Sequence, residues 1–267
     1  MSTVETGIRG RFGLALGLVV ALAIAGNAAI NLLLPSPLYI PAALLLAVLA
    51  VLVAVRVGGC NARDLGLDRE QLGHGFRLGA AVAALFALVL AVGAALPATR
   101  DLFADRRVDQ HSVTLLLYHT LVRIPLGTVV LEETLFRGAL LGLGLRRWSP
   151  PVAVAFSSVL FGLWHLLPAR GVSGFNPVVA TATQGTLRQV LVILLAVAAT
   201  ALAGVVFCWL RLRARSLAAP AVLHLAGNSL AYLLAPSGLT PAPAAWTRRL
   251  DGPPRSCDST RVRGGAR

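Results

Sequence analysis

Lysine is missing from this chain of 267 residues; all 24 of its basic residues are arginine. Acidic residues number 11, and charged residues of both signs make up 13% of the chain. A water-soluble domain is nearer a quarter charged, so this scarcity excludes an ordinary soluble fold. Cysteine is also scarce. Cys60, Cys208 and Cys257 lie far apart, none is in a CxxC pair, and an odd number gives no disulfide framework. There is no internal repeat and no stretch that reads as a soluble domain. The lack of Lys, with heavy use of Ala, Val and Gly, fits the coding bias of a GC-rich bacterial genome.

What the chain has is apolar sequence, 57% of it, in long blocks. Segments 12–34, 37–55, 78–97 and 189–210 carry no charge. Each has the length, about 20 residues, that a helix needs to cross a bilayer core of roughly 30 Å. A soluble buried helix of that length would carry a polar face. Three more segments complete the set. Segment 124–145 is apolar apart from Glu132, Glu133 and Arg137, segment 148–167 apart from His165, and segment 216–234 apart from His224 and Asn228. The pattern predicts an all-α, polytopic membrane bundle of about seven helices. Basic Arg9 and Arg11 precede a first apolar run too long for a signal peptide, which reads as an uncleaved helix.

Breakers divide the segments. Pro35 and Pro37 make a tight first turn. Pro125 is expected in the first turn of the fourth helix, where its missing N–H costs nothing, and Pro150 and Pro151 are expected to open the fifth. A transmembrane domain therefore runs over 1–235. The tail, 236–267, is rich in Pro, Gly and Arg, lacks an apolar run, and is expected to be disordered.

The net charge of +13 would suggest nucleic acid as a partner of a soluble protein. Here the arginines fall at helix ends and in connectors, where they set topology and meet lipid headgroups, so the expected partner is the bilayer and not nucleic acid. The N-terminus and the second, fourth and sixth connectors hold eleven arginines; the other side holds five, Arg100, Arg106, Arg107, Arg170 and Arg188. The richer side should be cytoplasmic, which places the N-terminus there and the protein in the cell membrane. The tail's arginines fall on the opposite side in a seven-helix arrangement.

Ionisable groups inside a bilayer cost roughly 2.5–3.5 kcal/mol each on insertion scales, and those that persist mark function. Here they are concentrated in the fourth, fifth and seventh segments. Glu133 and Arg137 are spaced i,i+4 with the acid first, the order that favours an ion pair. Glu132 projects about 100° round the helix from its neighbour and lacks that partner. Such a carboxyl group is suited to moving a proton near neutrality. His224 and Asn228 also share a helix face, as do Phe161 and His165. Counted from the helix ends on one side, Glu132 lies thirteen residues deep and His165 fourteen, with His224 and Asn228 somewhat shallower. One cavity within the membrane can therefore take all four.

The string from Glu132 to Gly138 (EETLFRG) resembles the EExxxR signature of the CAAX prenyl protease and bacteriocin-processing family of intramembrane glutamic endopeptidases. Phe161 to His165 is similar to its FxxxH motif, and His224 to Asn228 to its HxxxN motif. The three occur in the family's order, and the resemblance covers about residues 120–234. It implies a peptidase in which Glu132 and His165 activate a water, His224 and Asn228 stabilise the oxyanion, and Glu133 and Arg137 hold the site in shape. It implies no cofactor and no metal, with a peptide or a membrane protein as substrate. Family members of known fold have eight membrane helices, so an eighth is an open alternative.

Other readings remain at this level. Glu132, His165 and His224 could together ligate zinc in a metalloprotease, although the chain has no HExxH. The fold could serve as a non-proteolytic membrane scaffold or regulator, or the Glu and His residues could relay protons in a transporter. Phe161 reads as packing, Asn27 and Asn31 as hydrogen-bonding glue between helices, and His74, His111 and His119 as residues of connectors or a helix boundary. The arginine asymmetry predicts that a single cysteine placed in connector 211–215 of a cysteine-free protein will be labelled only after the cytoplasmic face is opened. Labelling by an impermeant maleimide in intact cells would reverse the topology.

Overall fold

Runs of Leu, Val and Ala with few breakers leave the backbone one way to satisfy its polar groups in lipid, which is to form helices. The computed structural model describes residues 3–104, 113–182 and 185–234, and these are helical with no strand among them. Six helices are long and apolar enough to cross a membrane: α1 (Arg11–Leu33), α2 (Ser36–Val57), α3 (Arg69–Ala95), α4 (Val113–Leu145), α5 (Pro150–Ala169) and α6 (Thr186–Ala214). A shorter apolar helix, α7 (Ala218–Leu234), follows. The chain is a multi-pass membrane protein. The tail, with Cys257, and His111 lie outside the described residues.

Apolar side chains cover the outside of the bundle, and α2 turns a row of alanines inward, while α4 buries Leu131, Leu135, Phe136 and Leu140. Leu85, Leu88 and Val89 on α3 and Leu194, Leu195 and Leu202 on α6 are exposed, whereas Ala43, Ala47, Ala50 and Ala54 of α2 are buried. Lipid gives helices no hydrophobic reason to associate, so close backbone approach at small residues does it instead. The clearest seam is Gly75, Gly79 and Ala83 on α3, which packs against α7. A Cβ at Gly79 would come within 2.6 Å of the Ala219 carbonyl, and one at Gly75 within 2.7 Å of the Ser216 side chain. This seam holds the helix that carries His224.

The arginine-rich connectors meet at one end of the bundle. The Asp64 carboxylate accepts from Arg146 at 2.9 Å, and the Leu217 N–H donates to the Gly66 carbonyl at 2.8 Å. Phe12 of α1 packs edge-on against Trp148 at the same end. Arg211 had been expected in a connector. Instead α6 extends to Ala214, and Arg211 is buried, its Nη2 donating to the carbonyls of Arg63 and Asp64 at 3.0 and 2.9 Å. A loop with unmet carbonyls needed a donor more than the lipid surface did. Cys60, in the same connector, has its thiol pushed up to about 11 by burial, reinforced by Asp64, so it is no nucleophile near neutrality.

Two further expectations are corrected. Pro125 does not open α4. The helix is already formed at Val113, and Pro125 lies inside a stretch of wide π-type turns, His119–Val129. Proline removes one ladder donor and crowds the carbonyl four residues back, and a wider turn accommodates both. His119 is therefore within a helix, stacked on Tyr232, whereas His74 stands at the start of α3, at a helix boundary as expected.

Because Gly79 meets backbone, which cannot step aside, Gly79→Leu should lower the stability of the purified protein by about 1–3 kcal/mol. Gly73→Leu, where nothing lies within 4 Å, should change it little. Thermal unfolding of the two variants in the same detergent checks the contrast.

Candidate active site

Adjacent residues on a helix diverge, and α4 uses that divergence. Glu132 ends a short α-helical turn and Glu133 begins a second π-type stretch, Glu133–Leu140. Both carboxylates are buried, and they address opposite nitrogens of one imidazole. His224 Nδ1 lies 2.7 Å from Glu133 Oε1, and His224 Nε2 lies 3.6 Å from Glu132 Oε2. The same Glu133 oxygen accepts from Arg137 Nη1 at 3.2 Å, the ion pair expected from the i,i+4 spacing. Arg137 is wholly buried.

Aromatic rings line this charge cluster. The Arg137 guanidinium lies 3.8 Å from the centre of the Phe161 ring and 4.7 Å from that of Phe207, a cation in contact with two aromatic rings. Phe207 also stacks on His224, with ring centres 5.1 Å apart and planes 20° apart. Phe161, expected only to pack, thus touches the cation, and its carbonyl lies 2.8 Å from His165 Nδ1. A carbonyl can only accept, so His165 Nδ1 donates and its Nε2 is the nitrogen turned toward Glu132.

His165 stands fourteen residues in from Pro151, as counted from the sequence, at the junction between the regular turns Pro150–Trp164 and the short continuation Leu166–Ala169. Its Nε2 lies 3.9 Å from Glu132 Oε2, and its side chain, 23% exposed, is the most accessible of the group. Glu132, which the spacing left without a partner, has one: Trp164 Nε1 donates to Oε1 at 3.0 Å. Its Oε2 is buried and makes no hydrogen bond. Asn228 is half-buried on α7, one turn beyond His224.

The structure therefore brings Glu132, Glu133, Arg137, His165 and His224 into one cluster and leaves Asn228 beside it. Sequence reasoning missed the Glu133–His224 contact, Trp164 and Phe207. Trp164 was adjacent to a flagged histidine. Phe207 sits in a plain apolar helix that carries no signal. Among the described residues no three His, Cys, Asp or Glu side chains are disposed to hold a metal ion.

The family comparison falls on this same cluster. The model of type II CAAX prenyl endopeptidase Rce1-like proteins matches residues 114–230, which span every residue of the cluster. Over this segment, less than half of the chain, the protein is similar to the Rce1-like family. No curated protein and no solved structure matches it. The Rce1-like segment begins at the start of α4 and ends within α7, so α1 to α3 lie outside it.

The two carboxylates should respond differently to mutation. Glu133→Gln strips a counter-charge from Arg137 and a partner from His224, and breaking such a buried pair costs about 3–5 kcal/mol. Glu132→Gln keeps an acceptor for Trp164 and should fold normally. Yield and melting temperature in detergent measure this, and equal losses would mean that Glu133 is not the structural member.

Proposed function

We propose that the protein is an intramembrane endopeptidase of the glutamic type, with Glu132 as general base. The observation that carries the reading is the Glu132 carboxylate: one oxygen is tied to an indole, and the other is buried, unbonded and flanked by two imidazole edges. A water bound at that edge can donate its two hydrogens to Glu132 Oε2 and His165 Nε2, both acceptors, and turn a lone pair toward a substrate carbonyl.

In the first step the water oxygen forms a bond to the carbonyl carbon while its proton passes to Glu132. The C=O electron pair moves onto oxygen. In the second step the pair returns, the C–N bond breaks, and Glu132 gives the proton to the leaving nitrogen. The products are a carboxyl group and an amine, with Glu132 ionised again. Donors aimed at the oxyanion supply much of such catalysis. His224 fills this role when Glu133 holds its Nδ1–H and its Nε2 also carries a proton. The Asn228 amide is the second donor.

The substrate is a peptide bond that reaches the membrane interior, in a membrane protein or a membrane-associated peptide. The arginine-rich end of the bundle is the cytoplasmic one in this reading. A comparison of membrane peptidomes from wild type and a Glu132→Gln strain should find products that vanish in the variant. Turnover of the peptide so identified should fall at least about 100-fold without loss of folded protein. Chelators should leave that turnover unchanged. One zinc per chain, with activity lost on its removal and restored on its return, would recast Glu132, His165 and His224 as ligands.

A further inference from the structure

Glu132 can act as a base only if one oxygen stays free and faces the histidines, and the rotation of a carboxylate is not fixed by its helix. Trp164 fixes it. Indole has a single N–H donor, and here it is spent on Glu132 Oε1 at 3.0 Å, leaving Oε2 toward His165 and His224. The indole is in turn held by the Phe136 ring, edge-on at 5.6 Å.

The backbone of Trp164 has a problem of its own. Its carbonyl should accept from the residue four positions on, which is Pro168, and proline has no N–H. An unmet carbonyl in lipid is costly. Asn27 of α1 supplies the donor: its Nδ2 lies 2.8 Å from the Trp164 oxygen, 137 residues away in sequence. The orientation of the Asn27 amide is set by Asn31, whose Nδ2 donates to Asn27 Oδ1 at 2.5 Å and to the Asn27 carbonyl at 2.9 Å. Asn31, Asn27, Trp164 and Glu132 thus form one directed chain of hydrogen bonds from α1 into the site. It anchors the backbone at the residue just before His165, so one amide bears on both Glu132 and His165.

We infer that Trp164 and Asn27 are positioning residues for the Glu132 carboxylate, and that α1, outside the Rce1-like segment, is part of the catalytic apparatus. This rests on Glu132 being the base. Helix–helix glue alone would make Asn27 matter for stability and not for turnover, and that difference is measurable.

The test uses the full-length protein in lipid nanodiscs and the peptide that Glu132→Gln fails to cleave. Trp164→Phe and Asn27→Leu should each lower kcat about tenfold with KM changed less than about twofold, the signature of a group that acts on the reacting geometry. The double variant should be slower by clearly less than the product of the two single effects, because both act in part through the Glu132 carboxylate. If Asn27→Leu does not accumulate, Asn27→Ser, too short to reach the carbonyl, takes its place. A substrate-free readout is the indole N–H vibrational band of Trp164, obtained as wild type minus Trp164→Phe. It should lie at a hydrogen-bonded frequency and move toward the free one in Asn27→Leu. Unchanged kcat in both variants of a protein that Glu132→Gln inactivates, or a free N–H band in wild type, would overturn this inference alone. Full turnover by Glu132→Gln would overturn the peptidase reading beneath it as well.

Discussion

One carboxylate oxygen, Glu133 Oε1, accepts from both Arg137 and His224, and the arrangement of the bundle interior follows from that sharing. A guanidinium cannot shed its charge at any accessible pH, and in lipid it must find an anion or not be there. Glu133 is that anion. Once Arg137 is fixed, its flat face needs cover, and Phe161 and Phe207 provide it from α5 and α6. Once Glu133 is fixed, His224 must come to it, and the glycine seam of α3 and α7 makes the approach short enough. Four helices are thus arranged round one ion pair.

A cluster of this kind does not stabilise by itself. Taking charges out of water costs several kcal/mol each, and a buried pair returns that only with good geometry and further hydrogen bonds. The cost is visible in the atoms left over: Glu132 Oε2, Glu133 Oε2 and Arg137 Nε and Nη2 make no hydrogen bond. Natural cores leave few such atoms, and a group of them in one place marks chemistry more often than packing. The apolar packing of alanine and glycine elsewhere in the bundle supplies the stability that this region consumes.

The helical class and the position of the spans were legible from charge scarcity and run length, since a bilayer constrains both. The Glu133–Arg137 pair was legible from i,i+4 spacing, a purely local rule. What failed was whatever depends on a neighbour. Pro125 read as a helix start because the local rule says so, and only the wider turns of α4 show how the helix passes through it. Arg211 read as a topology signal because its carbonyl acceptors lie about 150 residues away in sequence. Glu132 read as lacking a partner because Trp164 reaches it from another helix. Asn27 read as glue, which it is, but what it binds could not be seen before Trp164 was placed beside Glu132.

Glu132 and Glu133 are joined by a single peptide bond and grip one imidazole from two sides. Covalent geometry fixes only the spacing of their backbones; where each carboxylate points is set by its own partner, Trp164 for Glu132 and Arg137 for Glu133. A shift of α7 along α4 would loosen both grips on the imidazole. Along that coordinate the two His224 contacts are made or lost together, while the Glu133–Arg137 pair, both of whose members lie on α4, survives.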